Sequence, residues 1–271
     1  VPADSDSLRP GKAQAGKRAA GALVRGAVRR LGYDVVRTPS PAPPSAYPPD
    51  FDAETVATID AVRPYTLTSV ERIAALCEAI RYLERAGIPG DVVECGVWRG
   101  GSMMAAARTL VGLGRTQRDL YLYDTFSVFP RPGERDVDVW GNSVAERLDA
   151  DLQNPAYDYL PEEQVERLVR STGYPADRIH SVRGLVEDTI PAVAPATIAL
   201  LRLDTDLYAS TAHEMEHLFP RISPGGVLIV DDYGEFLGAK AAIDEYLKEH
   251  DVVLLLSRID HTGRLAVVPP R

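Results

Sequence analysis

Cysteine is scarce in this chain. Cys77 and Cys95 are the only two, both set in apolar patterns, which excludes a disulfide framework and makes reduced thiols the expected state. Long apolar runs are missing as well. No stretch approaches the roughly 20 apolar residues of a membrane span, and the first residues lack the continuous apolar core of a secretory signal, so a cytoplasmic protein without stable membrane insertion is expected. Positive charge is in deficit, with 30 Lys and Arg against 39 Asp and Glu. The deficit is uneven. Residues 1–37 hold eight Lys/Arg against three acids, so a net charge of −9 overall leaves −14 on the rest. An acidic body of this kind is a poor nucleic-acid binder. What the chain does have is length, 271 residues, and a 45% apolar composition, enough to bury a sizeable core. No internal repeat is visible.

Punctuation divides the chain. The segment "GKRAAGALVRGAVRRLGYDVVR" places Leu23, Val24, Ala27, Val28 and Leu31 on one helical face and Arg25, Arg29 and Arg30 on the other, which reads as an N-terminal helical extension: a basic docking or dimer arm over 1–37, with a homo-oligomer as the expected assembly. A membrane-surface role for the arm is the alternative. Residues 38–50, "TPSPAPPSAYPPD", hold six prolines and form an extended linker. From 51 to 271 the pattern is that of one α/β domain. Thr68 and Glu71 suggest a capping box that opens a helix ending at Gly87. Strands are predicted at 91–95, 119–124, 178–184, 197–204 and 226–231, with helices between them, including 209–219 and 236–249. "VVLLLS" and "RLAVV" then flank "RIDHTG" as a closing antiparallel hairpin. The implied architecture is a mostly parallel seven-stranded sheet, Rossmann-like, with helices on both faces.

Sheets of this kind bind ligands beyond the carboxyl ends of their strands. The first strand ends in "ECGVWRGGS", with Glu94, Gly96, Gly100 and Gly101 at the turn into a helix. The glycines allow close backbone approach, and the helix start offers free amides. Their spacing differs from the G-x-G-x-x-G of dinucleotide enzymes, and no P-loop lysine follows. Asp124 closes the second strand, where an acid can take both hydroxyls of a ribose. A ligand with a ribose but no need of a phosphate cradle points to S-adenosylmethionine, with Gly184 and Asp188 of "RGLVEDT" beside the adenine. Two further strands end in acids: "LRLDTDLYAST" carries Asp204 and Asp206, and "GGVLIVDDYGEF" carries Asp231 and Asp232.

"TLTSVERI", "GDVVECGVWRGGS", "LYDTF", "LDTDLYAST" and "PGGVLIVDDYG" occur in this order and spacing over about residues 60–250, and together they resemble the macrocin O-methyltransferase family. That resemblance implies a class I methyltransferase fold and methylation of sugar hydroxyls on glycosylated natural products. It implies S-adenosylmethionine as donor, bound by residues matching Thr68, Ser69, Glu94, Gly96, Val97, Gly100, Gly101, Ser102, Asp124, Gly184 and Asp188. It also implies Mg2+ on acids matching Asp204, Asp231 and Asp232, and a catalytic role for Asp204 and for Asp206, the latter as base. The chain departs from the family at Leu67, where T-M-T-S is common, and across the lid stretch 126–142, which leaves the acceptor open.

Elementary chemistry gives the four acids the same sense. An alcohol, with a pKa of roughly 15, is no nucleophile at neutral pH, whereas water on a metal ion can fall to about 7, and a hydroxyl bound to a divalent cation is acidified in the same way. Magnesium prefers oxygen ligands and retains open positions, so a vicinal diol is the natural acceptor and a nearby free carboxylate the base. Strand-end acids also serve as helix caps, which is the plainer explanation for any isolated pair. "HEMEH" (213–217) matches a zinc-protease motif, but no third ligand is evident, and chance on a solvated face is the reading adopted. His180 reads as a core histidine. Trp98 and Trp140 are candidate linings of the donor site and lid, or plain packing. Two other classes remain at this level: an NAD-dependent oxidoreductase, and a non-catalytic sugar- or lipid-binding protein on a methyltransferase scaffold.

Overall fold

The computed structural model describes residues 47–151, 154 and 158–270. The basic arm with its expected helix, and most of the proline-rich linker, lie outside the described residues. The helices are α1 (Ala53–Val62), α2 (Val70–Ala86), α3 (Gly101–Gly112), α4 (Val144–Asp151), α5 (Glu162–Arg170), α6 (Val186–Thr189), α7 (Tyr208–His217) and α8 (Leu237–Glu249). The strands are β1 (Asp91–Cys95), β2 (Leu120–Asp124), β3 (Ile179–Arg183), β4 (Ile198–Leu203), β5 (Ile222–Val230), β6 (Ser257–Arg258) and β7 (Arg264–Val267). They form one sheet in the order β3-β2-β1-β4-β5-β7-β6. Strands β1 to β5 run parallel, and β7 pairs antiparallel with β5 and β6. None of the described helices is long and apolar enough to cross a membrane.

The side-chain period of 2 divides each strand between two cores. Val92, Leu122, Leu200 and Ile229 pack under α1, α2, α3 and α5, while Val93, Cys95, Leu203 and Val230 pack under α6, α7 and α8. Strand order reverses between β1 and β4, and in-register pairing brings their ends level there: Cys95 faces Leu203, and Leu203 faces Val230. The segments beginning at Gly96, Asp204 and Asp231 therefore leave the sheet side by side.

Three expectations shift. The cap of α2 is Ser69, which accepts from the Arg72 N–H, because the Thr68 hydroxyl is engaged by Arg202 instead. The closing hairpin is shorter than "VVLLLS" suggests: only Ser257 and Arg258 pair, and residues 252–256 are extended but unpaired. Its alternate side chains Leu254 and Leu256 pack on the core, while Val253 and Leu255 face outward. His180 is no core residue. It lies on edge strand β3, half-buried, with Nε2 3.2 Å from Asp119.

Candidate active site

A cavity of about 380 Å³ opens at the carboxyl ends of β1, β2, β4 and β5. Its floor begins at Gly96, whose φ of +84° and close approach both demand glycine: a Cβ there would lie 1.9 Å from the Asp204 carbonyl oxygen. Gly101 lets the 65–66 segment cross the start of α3, since a Cβ would stand 2.5 Å from the Tyr65 carbonyl. Gly100, at φ +86°, caps α3 and packs against Val165 instead of lining the cavity. Asp124 braces the turn. Its Oδ2 accepts from the Val97 and Trp98 N–H groups at 2.8 and 2.7 Å, and Oδ1 from Phe126 N–H at 2.7 Å. It lines the cavity, as do Thr68, Val97, Ser102 and Gly184, but it is a structural brace as well as a candidate ribose acid.

Asp188 and Ser69 stand elsewhere. Asp188 is exposed on the outer side of α6, and its neighbour Glu187 faces the cavity, as expected for adjacent positions on a helix. The Ser69 hydroxyl donates to Asp260 at 2.6 Å, away from the cavity. Trp98 lines the cavity, whereas Trp140 is exposed.

The acids surround a buried arginine that the linear sequence does not advertise. Arg202, inside β4, pairs in register with Glu94 of β1, and cross-strand neighbours on one face lie within reach. Its guanidinium donates to Glu94, to Asp204 at 2.6 Å, to Asp231 at 2.6 Å and to the Thr68 hydroxyl at 3.0 Å. Arg72 takes the other oxygen of Asp231 and also pairs with Asp260 at 3.0 Å. Both oxygens of Asp231 thus face arginines. Among the described residues, the group whose ligand atoms lie mutually within 4.8 Å is Asp204, Asp206 and Asp232. The expected ligand set of Asp204, Asp231 and Asp232 is therefore not the set gathered here, because Arg72 and Arg202 hold Asp231 aside.

Burial, reinforced by neighbouring carboxylates, pushes Asp204 and Asp232 well above the usual carboxylate range. Burial also lifts Asp206 to about 6 against the opposing hydrogen bond with Asp232. Burial raises Glu94 to about 7 despite Arg202, and its Oε2 is buried without a partner. Asp206 adopts φ +63°, a left-handed conformation that Asp tolerates better than most residues. The histidine rings of "HEMEH" lie 4.4 Å apart between centroids, tilted by 60°, and His213 Nε2 lies 2.9 Å from the Ile190 carbonyl.

On the far side of the cavity stand Phe129, Leu148, Tyr159 and Phe236, with Arg147 paired to Glu235 at 3.0 Å. This is an apolar wall with one polar pair. Residues 126–143, of which Phe129 and Pro130 line the cavity, join the body through the Asp138–Phe236 bridge and through Asp136, which accepts from the Tyr208 N–H at 2.7 Å and, within the segment, from the Gly133 N–H at 2.7 Å.

Known proteins resemble this chain in sequence and fold. The sequence profile of macrocin O-methyltransferase (TylF) matches residues 35–266. The 8-demethyl-8-(2,3-dimethoxy-α-L-rhamnosyl)-tetracenomycin-C 4'-O-methyltransferase of Streptomyces olivaceus is 32% identical, over 73% of this chain and 74% of its own length. The mycinamicin III 3''-O-methyltransferase of Micromonospora griseorubida is 31% identical, over 73% of this chain and 76% of its own. The solved structure of the O-methyltransferase NovP superposes with a TM-score of 0.67 at 30% identity, covering 76% of this chain and 83% of that one. The fold is the class I methyltransferase fold, and the chain belongs to the macrocin O-methyltransferase family of S-adenosylmethionine-dependent enzymes.

Proposed function

We propose that this enzyme methylates a sugar hydroxyl of a glycosylated natural product, with a vicinal diol as the preferred acceptor and Mg2+ as an aid. The observation that carries this reading is the meeting, around one cavity, of the glycine turn after β1 and the three carboxylates gathered after β4 and β5. By their names, one relative acts on a rhamnosyl-bearing tetracenomycin and another on mycinamicin III at a 3'' position. The turn from Gly96 to Ser102 and the floor at Glu94 hold the donor, and the buried, unpartnered Glu94 Oε2 suits an ammonium group. Phe129, Phe236 and the Arg147–Glu235 pair hold the sugar, with ring faces for its C–H edges and charged groups for its hydroxyls.

The donor set fits a divalent cation: hard carboxylate oxygens, crowded and mutually repelling, with Asp204 still one-quarter exposed to the cavity. When bound, the cation supplies positive charge that acidifies the acceptor hydroxyl. Asp204 and Asp232 would hold it, and Asp231 would join them only on giving up one of its arginine contacts. Asp206 accepts the hydroxyl proton. The oxygen then bonds to the methyl carbon as the carbon–sulfur bond breaks, releasing S-adenosylhomocysteine; alignment is the protein's remaining task. A second reading makes Asp206 the third ligand, favoured by its place in the cluster.

The test is incubation with methyl-deuterated S-adenosylmethionine and a panel of rhamnosylated and other deoxysugar glycosides. Label is expected on the sugar fragment. Label on an aglycone phenol, or none on any glycoside while S-adenosylhomocysteine binds, would refute the acceptor class.

A further inference from the structure

Between the two histidines of "HEMEH" lies a residue that the metal-pair reading passes over. Glu214 is fully buried on the inner face of α7, where a carboxyl group is costly unless partnered. Its Oε2 accepts from the Thr205 hydroxyl at 3.1 Å, and the buried Cys95 side chain is a close neighbour of the same carboxyl group. Both neighbours sit at strand ends. Thr205 lies between Asp204 and Asp206, and Cys95 is the last residue of β1, directly before Gly96. One helical turn earlier on α7, the Ser210 hydroxyl donates to Glu187 at 2.8 Å, and Glu187 lines the cavity.

Two features argue against simple packing. Glu214 Oε1 is buried with no partner, so an apolar residue of similar size would be cheaper to hold there. Asp206, next to Thr205, is kept in a left-handed conformation, which persists only where its surroundings over-determine it. From one side the Asp206 N–H donates to Asp232 at 3.1 Å; from the other, Thr205 is tethered to Glu214.

We propose that Glu214 is a positioning residue for methyl transfer: by tethering Thr205 from beneath the site, it fixes the acid-bearing loop after β4. The inference rests on reading Asp204 and Asp206 as acceptor-side acids. Glu214 touches neither donor nor sugar and acts through Thr205.

The experiment compares wild type, Glu214→Leu, Glu214→Gln and Thr205→Val in the full chain, each loaded with S-adenosylhomocysteine. Hydrogen–deuterium exchange of peptides spanning 203–207 should accelerate about tenfold or more in Glu214→Leu and Thr205→Val. It should stay at the wild-type rate in Glu214→Gln, which keeps an acceptor for the Thr205 hydroxyl. Calorimetric affinity for S-adenosylhomocysteine should remain within about threefold throughout, since Asp124 braces the donor turn independently. On any glycoside the wild type methylates, kcat should fall about 10²-fold in Glu214→Leu, the cost of a small misplacement, with KM for S-adenosylmethionine unchanged and Glu214→Gln recovering most of the loss. Wild-type exchange of 203–207 in Glu214→Leu, or equal damage in Gln and Leu variants, would overturn the proposal. Should Glu214→Leu fail to fold, Thr205→Val, which deletes only the hydroxyl, decides by the same exchange readout. If the wild type methylates no glycoside, the acceptor reading fails while the exchange comparison still decides this one.

Discussion

The glycine turn after β1 and the segment 126–143 border the same cavity and are built differently. The donor turn is built from backbone: Gly96 and Gly101 sit where no Cβ fits, and three N–H groups close on the buried Asp124. The segment 126–143 is a loop with several exposed side chains, Val128 63% and Trp140 74% accessible, and it is pinned at a few points: backbone bonds of Val137 and Val139 with Leu237 and Glu235, and Asp136 on the Tyr208 N–H. Close backbone approach fixes a geometry that suits one invariant ligand. A loop with exposed apolar side chains can be re-cut for a different sugar or aglycone without disturbing the sheet. The acids lie where the two halves join, and Arg202 and Arg72 tie them to the rigid half.

That contrast can be broken in order of effect. The largest is at the junction. Asp206→Asn should lower turnover by about 10² to 10⁴ while S-adenosylhomocysteine affinity, measured by calorimetry, stays near wild type. Added Mg2+ should not restore it; rescue by metal would make Asp206 a ligand and move the base elsewhere. Next comes the rigid half. Arg202→Met leaves Glu94 and Asp231 buried beside a missing cation and should cost about 3–5 kcal/mol in urea unfolding; a loss below about 1 kcal/mol would show that the arginine only fills space.

Asp260 gives a smaller effect with a pH signature. Burial alone would raise its pKa, but hydrogen bonds from Ser69 and the Gly263 N–H, with the charge of Arg72, outweigh burial and hold it at about 2 against an ordinary 3.8. A depressed folded pKa contributes stability that is present above the unfolded value and lost as pH falls through the folded one, here between about pH 4 and 2, worth about 2 kcal/mol. Asp260→Asn should remove that increment at neutral pH and flatten the acid limb of the stability curve; an unchanged limb would place the ion pair at no net value. The mildest effect belongs to the segment 126–143. Asp136→Ala removes the acceptor at the start of α7 and should cost about 1 kcal/mol, raising KM for the glycoside and leaving donor affinity alone.

Legibility in the sequence follows the same division. Strands β1 to β5 and the acids at their ends can be read because continuous apolar runs bounded by Gly, Pro and Asp have little other meaning. Arg202 cannot be placed that way: its partners come from β1, β5 and the start of α2, and only strand order reveals them. A signal exists nonetheless, for a charge inside "TIALLRLD" and another inside "DVVEC" are two buried charges in need of each other. Asp188 and Glu187 are indistinguishable until the phase of α6 is known. Glu214 is hidden by its flanking histidines, whose spacing suggests a different chemistry. The segment 126–143 is the least legible part, since its pin at Asp136 is a loop acid bound to the Tyr208 N–H far away in sequence.

The central claim is that the carboxylates at the strand ends serve a cation-assisted methyl transfer. The most direct measurement is turnover of deuterated S-adenosylmethionine on an active glycoside before and after chelation, with Mg2+ then restored. Abolished transfer on chelation and recovery with Mg2+, at unchanged affinity for S-adenosylhomocysteine, is the predicted result; full turnover in the chelated, metal-free enzyme would contradict it and return the acids to a purely structural role.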